Sequence, residues 1–133
     1  VTAKLEQALI QHFIDAGFGL PIAYENSEYT PEAGTAYAQL DTFVNDTTTL
    51  SLNTSDQTDG LLQVILRYPE DGYSWDAKNK ADAISAVFKL GLRLENDGQR
   101  LTVIRRSQAP GVNEAGWYKI VLRVFFIAVL PRN

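Results

Sequence analysis

Trp117-Tyr118-Lys119-Ile120-Val121-Leu122-Arg123-Val124-Phe125-Phe126-Ile127-Ala128-Val129-Leu130 is the stretch that decides the fold. Fourteen residues rich in β-branched and aromatic types, with no Gly or Pro inside, predict one long β-strand. Ile120, Leu122, Val124, Phe126 and Ala128 point one way, and Lys119, Val121, Arg123, Phe125 and Ile127 the other. The first half alternates apolar residues with Lys119 and Arg123, as a half-exposed strand does. From Val124 onward both faces are apolar. Either a helix covers each face there, or one face meets another subunit. The second arrangement is favoured, because two helices in one small domain commonly pack on the same side of a sheet.

Upstream, Leu5, Ala8, Leu9, His12, Phe13 and Ala16 keep the i, i+3, i+4 spacing of an amphipathic helix, with Thr2 as its cap, Glu6 placed in its first turn and Gly17 as its stop. A second helix begins near Ser74 and carries Ala77, Ala81, Ile84, Val87 and Phe88 on one stripe, ending at Gly91. Strands are predicted at Leu20 to Glu25, Ala36 to Val44, Thr48 to Leu52 and Leu61 to Tyr68. Leu92 to Glu95 and Arg100 to Ile104 flank Asn96-Asp97-Gly98, a hairpin signature. Two polar segments, Asn45 to Gly60 and Arg105 to Gly116, are read as mobile loops. The order α-β-β-β-β-α-β-β-β gives an α+β fold, a mostly antiparallel or mixed sheet with two helices packed on it, in one domain over residues 1–133.

Composition narrows the function. With 133 residues and a 45% hydrophobic content the chain builds a real core. A net charge of −4 disfavours tight phosphate binding. No apolar run reaches the roughly 18 residues of a membrane span, and the first residues lack the basic and apolar regions of a secretory leader. The absence of cysteine removes disulfides, thiolate metal sites and cysteine nucleophiles.

The remaining chemistry is thin. The one histidine, His12, lies on the apolar helix stripe, where a core or boundary role outweighs catalysis. There is no G-x-S-x-G elbow and no Walker or G-x-G-x-x-G motif, and Gly17-Phe18-Gly19 follows a helix, the wrong order for a dinucleotide. Asp56-Gln57-Thr58-Asp59-Gly60 has the look of a calcium loop, but Arg67 stands where its Glu is needed. Glu70, Asp71 and Asp76 surround Tyr73 and Trp75, yet nothing builds the cleft that a glycosidase needs. They are read as acids that solvate a turn and favour the helix N-terminus. No cofactor and no metal is expected, and the chain is read as a non-enzyme. The competing class is a small hydrolase or carbohydrate-binding module that uses these turn carboxylates with Trp75 and Trp117.

An ordered set of segments carries a resemblance. These are Pro21-Ile22-Ala23-Tyr24-Glu25-Asn26 with Tyr29-Thr30-Pro31 and Gly34-Thr35-Ala36-Tyr37, then Gly60-Leu61-Leu62-Gln63-Val64 running to Tyr68-Pro69 and Gly72. Ala81-Asp82-Ala83-Ile84 with Phe88, Gly91 and Leu94 follows, and then Ile104-Arg105-Arg106 and Gly116-Trp117-Tyr118. Together they resemble the tail terminator, or tail completion, proteins of long-tailed phages. The sequence departs from the family at the Thr-rich segment Asn45 to Gly60, so no contact residue is carried across it.

The resemblance implies a virion protein at the head-proximal end of the tail, assembled in the host cytoplasm. It would form a ring, usually of six, that stops tube polymerisation and joins the tail to the head. The implied partners are other copies of the chain, the tube protein and a head completion or connector protein, with DNA passing through the lumen without specific binding and no membrane involved. A neighbouring neck or connector protein is the alternative within the same logic. A domain of this length is roughly 36 Å across, so six touching spheres enclose a hole of about 36 Å, wide enough for a duplex. Six chains carry about −24 (6 × −4), which lets DNA slide without sticking. Phe125, Ile127 and Val129 are the candidate subunit interface, and Asp46, Thr49, Asp56, Arg105, Arg106, Asn113 and Glu114 the candidate contacts to tube or connector.

Overall fold

The structure, a computed structural model, describes residues 2–24, 30, 34–45, 48–49, 55–69 and 74–131. Helix α1 (Thr2–Asp15) is followed by strands β1 (Ile22–Tyr24), β2 (Tyr37–Val44), β3 (Thr48–Thr49) and β4 (Ser55–Pro69). Helix α2 (Ser74–Val87) then precedes β5 (Arg93–Asn96), β6 (Gln99–Gln108), β7 (Val112–Glu114) and β8 (Trp117–Pro131). The strands form one mixed sheet in the order β1-β2-β4-β8-β6-β5. β3 pairs with β4 beyond the end of β2, and β7 pairs with β8 beyond the end of β6. Only β1 and β2 run parallel among these pairs.

β4 and β8 pair along their whole length, from Ser55 opposite Pro131 to Pro69 opposite Trp117. This ribbon is roughly 47 Å long at the rise of an antiparallel strand. The alternation read from β8 holds. Ile120, Leu122, Val124, Phe126 and Ala128 are buried beside Leu62, Val64 and Leu66 of β4, Ala38 and Leu40 of β2, and Leu101 and Val103 of β6. Leu5, Leu9 and Phe13 of α1 and Ala77, Ala81, Ile84 and Phe88 of α2 complete the same cluster. Both helices therefore cover one face of the sheet. Glu6 lies just beyond the first turn of α1, which holds no acid.

The polar segment Asn45 to Gly60 is not a mobile loop throughout. Its part from Ser55 to Gly60 is the first two fifths of β4, because the C-terminal end of β8 needs partners for its own N–H and C=O groups. Asn45 locks the junction. Its backbone N–H donates to the Asp59 carbonyl (2.8 Å), its side-chain amide donates to the Asp59 carboxylate (2.8 Å), and its carbonyl accepts from the buried Thr58 hydroxyl (2.7 Å). The calcium-loop look of residues 56–60 thus belongs to a strand.

The second supposed loop is also ordered. Arg105 to Gln108 continue β6, and β7 is a hairpin arm that the sequence reading missed. Its turn is Ala115-Gly116, with φ of 52° and 87°. Both central residues lie in the left-handed region, as at Asp97-Gly98 (52° and 82°), but Ala is a poor residue for it. Replacing Ala115 by Asn is expected to stabilise the fold by about 0.5–1 kcal/mol, read as a higher urea midpoint at constant slope.

One register shift interrupts β6, between Val103 and Arg105. Val103 faces Phe126, and after the bulge Arg105 faces Phe125 and Arg106 faces Val124. Ile104 is the extra residue. The bulge moves Arg106 to the helix side, where its guanidinium donates to the Ser85 carbonyl of α2, and leaves Arg105 on the opposite face.

Candidate assembly surface

The sheet face away from the helices is divided along the strands. Toward Trp117 it is polar and internally bonded. The Tyr37 ring meets the Trp117 ring edge-on at 5.3 Å, and the Arg67 guanidinium lies 5.7 Å from the Tyr37 centroid. Arg67 donates to the Gln39 side-chain oxygen (2.7 Å), and the Gln39 amide donates to Asp41 (2.9 Å). One step further along, Arg123 donates to Gln63 (3.1 Å).

Toward the other end an apolar strip appears, flanked by Asp59 and Gln57 on β4 and by Thr102 and Arg100 on β6. Phe43, Leu61 and Phe125 stand side by side across β2, β4 and β8, and Ile127 and Val129 continue along β8. Phe43 is 52% exposed, Ile104 50%, Ile127 36% and Val129 37%. The Arg105 guanidinium lies over the Phe125 ring at 3.9 Å, which shields part of it. Between these side chains is a cavity of about 140 Å³ lined by Phe43, Leu61, Ile104, Phe125 and Phe126 together with Asn45, Asp59 and Gly60.

All three candidate interface residues thus fall on this face. Phe43, Leu61 and Ile104 join them and were not singled out from the sequence. Phe43 and Leu61 follow from the strand pairing, and Ile104 from the bulge, neither of which a local pattern carries.

The candidate contact residues separate into two groups. Thr49 and Asp56 pair with each other, and Asp56 also faces Leu130 at the C-terminal end of β8. The side chains of Thr49 and Asp56 are not described, and Asp46 lies outside the described residues. Asn113 and Glu114 are exposed in β7, opposite Tyr118 and Trp117. The two groups stand roughly 40 Å apart along the ribbon. Glu114 pairs with Lys119 (3.2 Å). Arg105 and Arg106 belong to neither end; they point to opposite faces in mid-strand, which corrects their placement in a loop.

The residues that a catalytic reading would use are committed elsewhere. A groove of about 580 Å³ between α1 and β5 is lined by Gln7, Gln11, His12, Asp15, Glu95 and Asn96, among others. Within it His12 Nε2 donates to the Val87 carbonyl (2.7 Å), and its ring meets Phe88 edge-on at 5.1 Å. Nε2 therefore carries a proton and braces the end of α2 against α1. Asp15 accepts from Gln11 (2.7 Å). Glu70, Asp71 and Tyr73 lie outside the described residues; Trp75 is exposed, and Trp117 is half-buried against Tyr37. Neither tryptophan lines this groove or the outer-face cavity. Among the described residues no cluster of three or more His, Cys, Asp or Glu has metal-holding geometry, and no helix is long and apolar enough to cross a membrane.

One ionisable group is displaced. Burial, and secondarily the Asp76 carboxylate at the start of α2, raises the Tyr68 phenol above its ordinary value of 10.0. The fold holds this proton more tightly than the unfolded chain does. Its stabilising effect is whole below pH about 10 and is lost as pH rises through the folded value. Tyr68→Phe should flatten the fall in urea midpoint above pH 10 and leave it unchanged at pH 7, relative to the parent chain.

The model of the phage tail terminator protein family matches residues 1–126. The chain belongs to that family. It is a structural protein of a phage tail, and the family is structural in character. One solved structure shares 20% identity over 100% of this chain and 98% of its own, with a TM-score of 0.78, and shows the same fold. A second, a chain from the virion of a native gene transfer agent particle, shares 25% identity over 97% of this chain and 96% of its own, with a TM-score of 0.64. A comparison with characterised protein sequences found no match.

Proposed function

We propose that this tail terminator protein forms a ring, usually of six copies, on the head-proximal end of the tail tube. The ring stops tube polymerisation and offers the surface that joins the tail to the head. The observation that carries the reading is the outer sheet face. Both helices cover the other side, and the face they leave open carries the exposed or half-exposed apolar side chains of Phe43, Ile104, Phe125, Ile127 and Val129. Exposed apolar surface of this kind is what a protein–protein contact removes from water. These residues form one half of the subunit contact.

The two ends of the β4–β8 ribbon serve different partners. Residues about Thr49 and Asp56 lie at one end and Asn113 and Glu114 at the other, so a ring with the ribbon along its axis presents one set to the tube and the other to the head connector. Catalysis has no part in this reading, since His12 is occupied as a brace. The negative charge of the chain suits a lumen through which DNA slides.

Electron microscopy of the purified protein with and without tail tubes tests the proposal. Rings on one end of each tube are the expected result. Tubes that keep growing in the presence of the protein, or rings that bind only the head connector, would sink it.

A further inference from the structure

In a closed head-to-tail ring the two contacting patches of a subunit are unlike, so the outer-face cavity needs a partner elsewhere on the same chain. The lining is mostly apolar, with Asn45 as its polar residue and Asp59, which accepts from the Asn45 amide, as its charged one; the Arg105 guanidinium lies over the Phe125 ring. It suits one aliphatic side chain on a segment that carries positive charge.

Several large apolar side chains are exposed away from the outer face. Ile14 adjoins Asp15, Trp75 adjoins Asp76, and Tyr24, opposite the core residue Leu40, precedes Glu25 in sequence. Each would bring a carboxylate toward Asp59. Leu90, 59% exposed, has exposed Lys89 before it and exposed Arg93 three residues on. It also sits on a rigid corner. The Leu92 N–H donates to the Lys89 carbonyl (3.0 Å), Gly91 takes φ of 83°, and the Gly91 N–H donates to the Val103 carbonyl (2.8 Å). A backbone already held in place loses little freedom on docking. The corner leaves the C-terminal end of α2, in the layer that covers the opposite side of the sheet.

We infer that Leu90 of one copy inserts into the outer-face cavity of the next copy, between Phe43, Leu61, Ile104 and Phe125, with Lys89 set against Asp59. This rests on the ring reading and names the two surfaces that close it.

The absence of cysteine makes the test clean. Leu90→Cys and Ile104→Cys chains are mixed before assembly and oxidised, with native mass measured in parallel. Where tubes are needed for assembly, the mixture is oxidised on them and rings are scored by electron microscopy. The expected product is a mixed disulfide dimer, absent from either variant alone and at least tenfold weaker when Trp75→Cys replaces Leu90→Cys. Leu90→Asp should retain the far-ultraviolet circular dichroism and Tm of the parent and lose the ring. Rings that form yet give no mixed disulfide, or as much with Trp75→Cys, overturn the pairing and leave the ring reading intact. An absence of rings from the parent chain both with and without tubes overturns the ring reading, and the pairing with it.

Discussion

Gly60→Ala is expected to destabilise the fold by about 3 kcal/mol or more, enough to leave a domain of ordinary stability partly unfolded. Gly60 lies in β4 between β2 and β8, opposite Val44 on one side and Phe126 on the other. A Cβ there would collide with the Phe43 carbonyl oxygen and stand 3.0 Å from the Val44 Cα and 3.1 Å from the Phe126 ring. Two of these three neighbours are backbone, held by the β2–β4 ladder, so relief requires breaking the ladder. Gly17 offers the contrast. Its φ is 69° with nothing near the Cβ position, so Gly17→Ala carries only the left-handed backbone penalty of about 1–2 kcal/mol. Urea denaturation of the two variants should rank them clearly, and a Gly60→Ala midpoint equal to that of Gly17→Ala would refute the account.

Phe125→Asp is expected to abolish assembly while sparing the fold. Phe125 lies on the open face beneath Arg105, which remains in place to meet the new carboxylate. The loss of monomer stability is therefore small, about 1 kcal/mol. In the ring, the same carboxylate would be buried in an apolar contact at a cost of several kcal/mol per interface. Native mass should shift from ring to monomer, and an unchanged ring would exclude the outer face as a subunit contact. The adjacent residue gives the opposite signature. Phe126 is fully buried in the core, and Phe126→Ala should cost about 3–5 kcal/mol of folding stability whatever the assembly state.

That pair shows how much was legible in advance. The two-residue period of the last strand assigned Phe125 and Phe126 to different faces, and the apolar run on both faces pointed to an uncovered surface. Asp97-Gly98 marked its hairpin, because few residue pairs take two positive φ angles without strain. Ala115-Gly116 makes the same kind of turn with a residue that carries no such mark, and β7 went unread. Composition misled at Asn45 to Gly60. Thr, Ser and Asp there resemble a loop, but Ser55 to Gly60 pair with a strand some seventy residues away.

The two helices, the faces of β8 and the exclusion of cysteine chemistry were all legible locally, since each follows from residue type and spacing. Tertiary structure decided that both helices share one side, that the bulge at Ile104 parts Arg105 from Arg106, and that Phe43, Leu61 and Ile104 meet Phe125 around a cavity. The physical reason is range. A helix stripe or a strand alternation is set by neighbours a few residues apart, whereas pairing register and layer order are set by backbone hydrogen bonds between segments far apart in the chain. The open apolar surface first suggested by Val124 to Leu130 therefore acquired its shape, and its proposed partner at Leu90, only when those distant strands were brought together.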